Sequence, residues 1–246
     1  MEAGLAERIE QVRDAERRLL AGLDGLPDSD VKRPSLCPGW TVGHLLTHVA
    51  RSADALRRAV DGAWRGELVP MYASAEAREA DIEAGAGRPA AELARDIEGA
   101  AERLHQSWAA AVPGGWDRAV PHRVLGQIPV RDTVALRWFE VEIHHVDADR
   151  GYRPADWPPP FVSRLVRQVV PTVAGRLPYG VSLGLRATDS ERRWSCDAPG
   201  AVGRGDQVTV SGPSWAIGAW LIGRPGAAAG SLSVTGGDLP LLAPWL

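Results

Sequence analysis

The sequence predicts an N-terminal four-helix bundle followed by a small α+β domain. Apolar residues recur at helical spacing in four long segments of the first half. The pattern then changes at a proline-rich stretch, "RPADWPPPF", after which short alternating segments separated by glycine and proline favour strands. We therefore predict the helical bundle over residues 1–155 and the α+β domain over residues 160–246.

Three of the four bundle helices have a start or stop signal. Thr41 suits the N-cap of the second helix, and Pro89 precedes the third, which Pro113 ends. Gly151 suits the left-handed position after the fourth helix. The segment before that helix, residues 116–130, is predicted to be irregular. The long helices are predicted over residues 1–24, 42–60, 90–112 and 130–150, with a shorter one over 75–84.

The C-terminal part is predicted to contain both helices and strands. Its apolar pattern favours one helix over residues 162–177 and a second over residues 213–223. Alternating residues favour strands in "GVSLGLRAT", "RRWSCDA", "DQVTVSG" and "GSLSVTG".

The bulk composition excludes several classes of protein. The chain is 45% hydrophobic and 24% charged, with a net charge of -3, and it has no basic patch typical of nucleic-acid binding. No apolar run is long enough to cross a bilayer, and the N-terminus lacks the pattern of a signal peptide. Two cysteines far apart, Cys37 and Cys196, disfavour a disulfide framework, so a cytoplasmic location is expected. The sequence indicates no particular oligomeric state.

One stretch of the fourth helix, "RWFEVEIHHVDADRGY", combines apolar residues with a polar stripe. Spacings of three, four and three residues place the four stripe residues on one helical face. Glu140 and His144, one turn apart, can therefore bind one metal ion. Asp147 can accept a hydrogen bond from the other ring nitrogen of His144, an arrangement that orients metal-binding imidazoles. The stripe consists of Arg137, Glu140, His144 and Asp147.

A metal site needs a third ligand from another element, and several readings remain open. His48, in the middle of the second helix, is one choice, and His44, one turn earlier, competes with it. Two histidines and one carboxylate with an open fourth position are typical of catalytic zinc. Acid–histidine pairs also occur as simple ion pairs on helix surfaces. Glu142 and His145 form a rival pair facing another direction, which we expect to be solvated or to lie in a layer around the site.

Four stretches resemble a known family, the mycothiol-dependent maleylpyruvate isomerase-like proteins of the DinB superfamily. They occur in the expected order and cover both halves of the chain. At His44, relatives often carry an acidic residue instead. The matching stretches are "LCPGWTVGHLLTHVA", "READIEAGAGRPAAEL", "RWFEVEIHHVDADRGY" and "WLIGRP".

The resemblance implies a DinB-like four-helix bundle that binds a divalent metal, most often zinc, through His48, Glu140 and His144. It also implies a C-terminal α+β domain with a functional arginine, for which Arg224 is the match. Mycothiol would be the thiol cosubstrate and a small electrophile the other partner. The implied reaction is isomerisation of a conjugated acid of the maleylpyruvate type or transfer of the thiol. A hydrolase or lyase using metal-bound water, or a non-enzymatic metal-binding protein, stays open as an alternative.

Overall fold

The chain forms two compact units in a computed structural model, over residues 1–152 and 153–246. The structure describes residues 3–122, 124–201 and 207–245. Arg123 and Asp206, which fall in predicted segments, lie outside the described residues. The predicted fold class is confirmed, because a helical bundle comes first and a small mixed sheet follows.

The first unit is built around four long helices. Helix α3 packs mainly against α5, α1 packs against α6, and α3 also contacts α6. The central face of α3 is apolar, so that Leu45, Leu46 and Val49 are completely buried. Its helices are α1 (Ala3–Gly22), α2 (Asp28–Val31), α3 (Val42–Arg65), α4 (Ala75–Gly85), α5 (Ala90–Ala109) and α6 (Val130–Asp147).

Several local predictions for the first unit differ from the structure. Helix α6 ends at Asp147 rather than Arg150, because Asp149 adopts a left-handed backbone with φ of 52°. The segment predicted to be irregular contains an antiparallel hairpin of β1 (Ala119–His122) and β2 (Gly126–Pro129). The prolines there disfavoured a strand prediction, but proline is tolerated on edge strands, and both strands of a two-stranded hairpin are edges. The short helix α2, between the first two predicted long helices, was not predicted.

The second unit combines two helices with a four-stranded sheet. The strand order is β4-β3-β5-β6, in which only the β3–β5 pair is parallel. Helix α7 ends at Val169, earlier than predicted, because Pro171 follows in a 3-10 turn. The elements are α7 (Pro159–Val169), β3 (Ser182–Ala187), β4 (Arg193–Asp197), β5 (Val208–Gly212), α8 (Ser214–Leu221) and β6 (Ser233–Thr235).

A buried ion pair connects three helices of the bundle. The Arg137 side chain is 0% exposed, and its Nε donates to Oε1 of Glu16 on α1 over 2.7 Å. Nε2 of His105 on α5 lies 2.7 Å from the other oxygen of Glu16. Burial opposes ionisation of Glu16, but Arg137 and His105 outweigh it and lower the pKa of this carboxyl. Arg137 lies in the same polar stripe as Glu140 and His144, but it belongs to this separate network of buried polar residues.

A close approach between α3 and α4 requires a glycine. A Cβ atom on Gly43 would lie 2.0 Å from the carbonyl oxygen of Ala86 and 2.7 Å from a methyl group of Val31. We expect Gly43→Ala to destabilise the protein by about 1–3 kcal/mol, because the backbone oxygen cannot rotate away. Gly87→Ala is the matched control, since nothing lies within 4 Å of its Cβ position. Urea unfolding measures both variants, and equal stabilities would contradict the expectation.

Candidate metal centre

Helix α3 positions the first histidine of the site. Thr41 caps the helix: its hydroxyl accepts a hydrogen bond from the backbone N–H of His44. His48 follows one turn after His44, and its side chain is 7% exposed. The ring of Trp40, just before the helix, lies 5.2 Å from the ring of His48. The capped helix start and this aromatic neighbour therefore define where His48 lies.

Helix α6 brings an acid and a second histidine to the same place. Glu140 and His144 are four residues apart and lie on one face of α6. Oε2 of Glu140 lies 2.9 Å from Nε2 of His48 and 3.3 Å from Nε2 of His144. The two imidazole rings meet edge to face, with centroids 4.9 Å apart. Ligand-type atoms of all three side chains lie within 4.8 Å of one another.

The second nitrogen of His144 faces a buried acid. Nδ1 of His144 lies 2.9 Å from Oδ2 of Asp147, whose side chain is 0% exposed. The thiol of Cys37 donates to the same carboxylate over 3.3 Å, and the backbone of Leu36 donates to the carbonyl oxygen of Asp147. Cys37, His144 and Asp147 form a second group with ligand-type atoms within 4.8 Å. No local sequence pattern indicated Cys37 at this site, since it lies 107 residues before His144.

The protonation of the three side chains follows from burial and their mutual contacts. Burial alone would raise the pKa of Glu140, but His48 and His144 outweigh it and hold this pKa well below its ordinary value. Burial lowers the pKa of His48, despite the nearby Glu140. Burial would also lower the pKa of His144, yet hydrogen bonds to Asp147, Cys37 and Glu140 hold it well above its usual value. The site therefore contains an ionised carboxylate and a neutral imidazole, and a metal would displace the proton of His144.

The rival histidines have other partners. Nδ1 of His44 lies 2.7 Å from the hydroxyl of Thr41, and its Nε2 lies 2.9 Å from Glu83, so both ring nitrogens are engaged away from His48. The first alternative for Glu142 and His145, a solvated pair, is wrong, because both residues are buried. The second alternative, a place in a layer around the site, stays a prediction. Glu142 accepts hydrogen bonds from Arg18 and the hydroxyl of Tyr152.

Trp40 and Trp138 have different surroundings. Trp138 on α6 is 2% exposed, in agreement with core packing, and its indole N–H lies 3.3 Å from Glu142. Trp40 is half-buried and contacts His48. Trp40 is therefore the tryptophan of this pair that borders the three-residue cluster.

Arg224 lies in the second unit, directly after α8. Its backbone N–H donates to the carbonyl oxygen of Ala219, and its guanidinium donates to that of Ile222 over 2.8 Å. These contacts hold the side chain at the C-terminal end of α8. Its role in substrate binding or catalysis stays a prediction.

A helical bundle whose facing helices direct two imidazoles and a carboxylate to one point has the architecture of metal-binding bundle proteins. Residues 12–149 match the family model described as the mycothiol maleylpyruvate isomerase N-terminal domain. The match covers more than half of the chain, and the chain belongs to this family. The family suggested by the sequence motifs is thereby confirmed.

Two solved structures resemble the whole chain. One is the crystal structure of the mycothiol-dependent maleylpyruvate isomerase, with a TM-score of 0.87 and 28% identity over 98% of this chain and 97% of that chain. The other is a histidine-to-alanine mutant of that isomerase, with a TM-score of 0.86, 28% identity and the same coverage. A comparison with curated proteins found no match. Family and neighbours together establish that the chain is an enzyme. None of its described helices is long and apolar enough to span a membrane.

Proposed function

We propose that the chain is a metal-dependent isomerase that uses mycothiol to convert the cis double bond of a small conjugated acid, of the maleylpyruvate type, into the trans form. The convergence of His48, Glu140 and His144 within 4.8 Å is the observation that carries this proposal. The names of the structural neighbours and of the family support the choice of thiol and substrate.

The three side chains fit a divalent metal, which we propose to be zinc. Two imidazole nitrogens and one carboxylate oxygen are a donor set typical of catalytic zinc, and they leave a position for another ligand. The ionised state of Glu140, held by both histidines, suits a cation at this point. A metal bound there would supply Lewis-acid polarisation that lowers the pKa of a thiol.

The isomerisation requires a nucleophile that adds and leaves again. Mycothiol reacts as its thiolate, after its thiol proton has passed to solvent, and it regains a proton from solvent on release. The thiolate sulfur forms a bond to one carbon of the cis double bond, and the π electron pair of the double bond moves into the conjugated carbonyl. The remaining carbon–carbon single bond rotates. The electron pair then returns, the carbon–sulfur bond breaks, and the trans acid and the thiol are released.

The residues of the chain have distinct roles in this proposal. His48, Glu140 and His144 hold the metal, and Asp147 orients the His144 ring through Nδ1. Arg224, assigned by its motif, holds a carboxylate of the substrate through its guanidinium.

The test is turnover of maleylpyruvate by zinc-loaded protein with mycothiol present. We expect the trans acid to accumulate while the thiol is regenerated, and we expect no turnover after removal of the thiol or of the metal. A stable thiol adduct would instead identify a transferase. Equal turnover without thiol would contradict the proposal and favour activated water.

The role of Asp147 leads to a graded prediction. Because its carboxylate contacts Nδ1 of His144 over 2.9 Å, Asp147→Asn should weaken zinc affinity by roughly 10–100-fold without abolishing the site. Asp132→Asn, in the first turn of the same helix, is the control and should bind zinc normally. Competition with a chelator measures both affinities. Unchanged affinity, or a bond from Asp147 to the metal, would refute this role.

A further inference from the structure

An arginine of α4 lies beside the candidate metal centre. Nη2 of Arg78 is 3.3 Å from Nδ1 of His48, the ring nitrogen that points away from Glu140. Its guanidinium also lies over two aromatic rings, 5.7 Å from the centroid of Trp40 and 5.8 Å from that of Tyr72. Contacts of this kind hold a guanidinium in place without neutralising its charge.

The acid that pairs with Arg78 is a weak partner. The guanidinium donates to Glu79, whose side chain is 59% exposed, whereas that of Arg78 is 16% exposed. An exposed carboxylate is screened by water and contributes little to an ion pair. By contrast, the buried Arg137 has the buried Glu16 as its partner. Arg78 is therefore a largely buried cation with charge available for another anion.

The contact with His48 depends on what the imidazole binds. A neutral imidazole that gives Nε2 to a metal carries its hydrogen on Nδ1, which is then a donor. A guanidinium has only donors, so it cannot hydrogen bond to that nitrogen. Arg78 would then direct an N–H group toward an acceptor other than His48.

We propose that Arg78 binds a carboxylate of the electrophilic substrate next to the metal centre. This inference rests on the proposed function, in which the substrate is a small conjugated acid. A guanidinium binds a carboxylate through two parallel hydrogen bonds. The pair of bonds orients the acid and strengthens its binding. Arg78 would thus determine which acids are accepted.

Binding of maleate, a cis dicarboxylate, tests the inference without turnover. Calorimetry is carried out on zinc-loaded protein in the absence of thiol. Arg78→Gln should bind maleate roughly 10–100-fold more weakly, since loss of charged hydrogen bonds lowers an affinity by about this factor. Arg78→Lys should retain part of the affinity. Arg58→Gln is the control: Arg58, on α3, donates to the carbonyl oxygen of Met71, which precedes Tyr72 in the chain. It should bind maleate as the unmodified protein does.

Zinc content and kinetics separate binding from a structural role. Arg78→Gln should keep its zinc and raise the KM for the acid roughly 10–100-fold, with the KM for thiol unchanged. Loss of zinc in Arg78→Gln and Arg78→Lys alike would overturn the inference, because Arg78 would then only support His48. Equal maleate affinity in Arg78→Gln would also overturn it. If maleate binding depends on Arg78 while maleylpyruvate is not isomerised, the inference stands and the proposed function fails.

Discussion

Replacement of His144 by alanine is expected to remove most of the metal from the protein and to reduce isomerisation to background. Nε2 of His144 lies 3.3 Å from the Glu140 carboxylate, so its loss leaves only two of the three proposed ligands. Zinc affinity should fall by more than about 100-fold, because a residue that binds the metal directly contributes more to metal affinity than a residue that hydrogen bonds to a ligand. Elemental analysis after dialysis measures the change.

A second histidine provides the control for this experiment. His122→Ala removes an imidazole from the β1–β2 hairpin, where it accepts hydrogen bonds from the backbone of Val124 and Leu125. It should retain about one zinc per chain. Full zinc retention by His144→Ala would exclude the proposed ligand set. Equal zinc loss in both variants would point to general unfolding rather than a lost ligand.

The largest stability effect is expected for Glu16→Gln. The amide keeps the size of the side chain but leaves the Arg137 guanidinium, which is 0% exposed, without a countercharge. Leaving one partner of a buried ion pair without its countercharge costs about 3–5 kcal/mol. Glu7→Gln, at an exposed position of the same helix, should change the free energy of unfolding by less than about 0.5 kcal/mol. Urea unfolding at neutral pH measures both variants.

The effect of Glu16→Gln should depend on pH in a defined direction. Since the pKa of Glu16 is lowered in the folded protein, its stabilising contribution is present above the ordinary carboxyl pKa of 4.5. That contribution is lost as the pH falls through the lowered folded-state pKa. The stability difference between unmodified protein and Glu16→Gln should therefore shrink on acidification. A difference that stays constant, or grows, in acid would contradict the assigned ionisation.

Much of the bundle could be predicted because its signals are local. Apolar periodicity and the N-cap Thr41 indicated α3, and the four-residue spacing of Glu140 and His144 placed both on one face of α6. Spacing alone left the third ligand open between His44 and His48. The choice of His48 came from the family motif, and the ligand set itself stays a proposal.

The features that the sequence missed depend on contacts between distant segments. The local pattern indicates a surface acid at Glu142, yet this residue is buried and accepts a hydrogen bond from Arg18, 124 residues earlier. Arg137 fits the polar stripe of α6, but its partner Glu16 lies 121 residues away. A helix packed on several sides carries buried polar residues in more than one direction, so one polar stripe does not define one site. The position of Cys37 beside Asp147 is equally nonlocal, at a separation of 110 residues.

If a metal held by His48, Glu140 and His144 activates a thiol, calorimetric titration with mycothiol should detect the ionisation of that thiol on binding. The titration is carried out on zinc-loaded and metal-free protein, in buffers of different ionisation enthalpy that report proton release. We expect binding to the zinc-loaded protein with release of about one proton, since a thiol ionises on a metal. The metal-free protein and an S-methylated mycothiol should bind much more weakly. Equal affinity for mycothiol with and without zinc, and no proton release, would show that the metal does not activate the thiol.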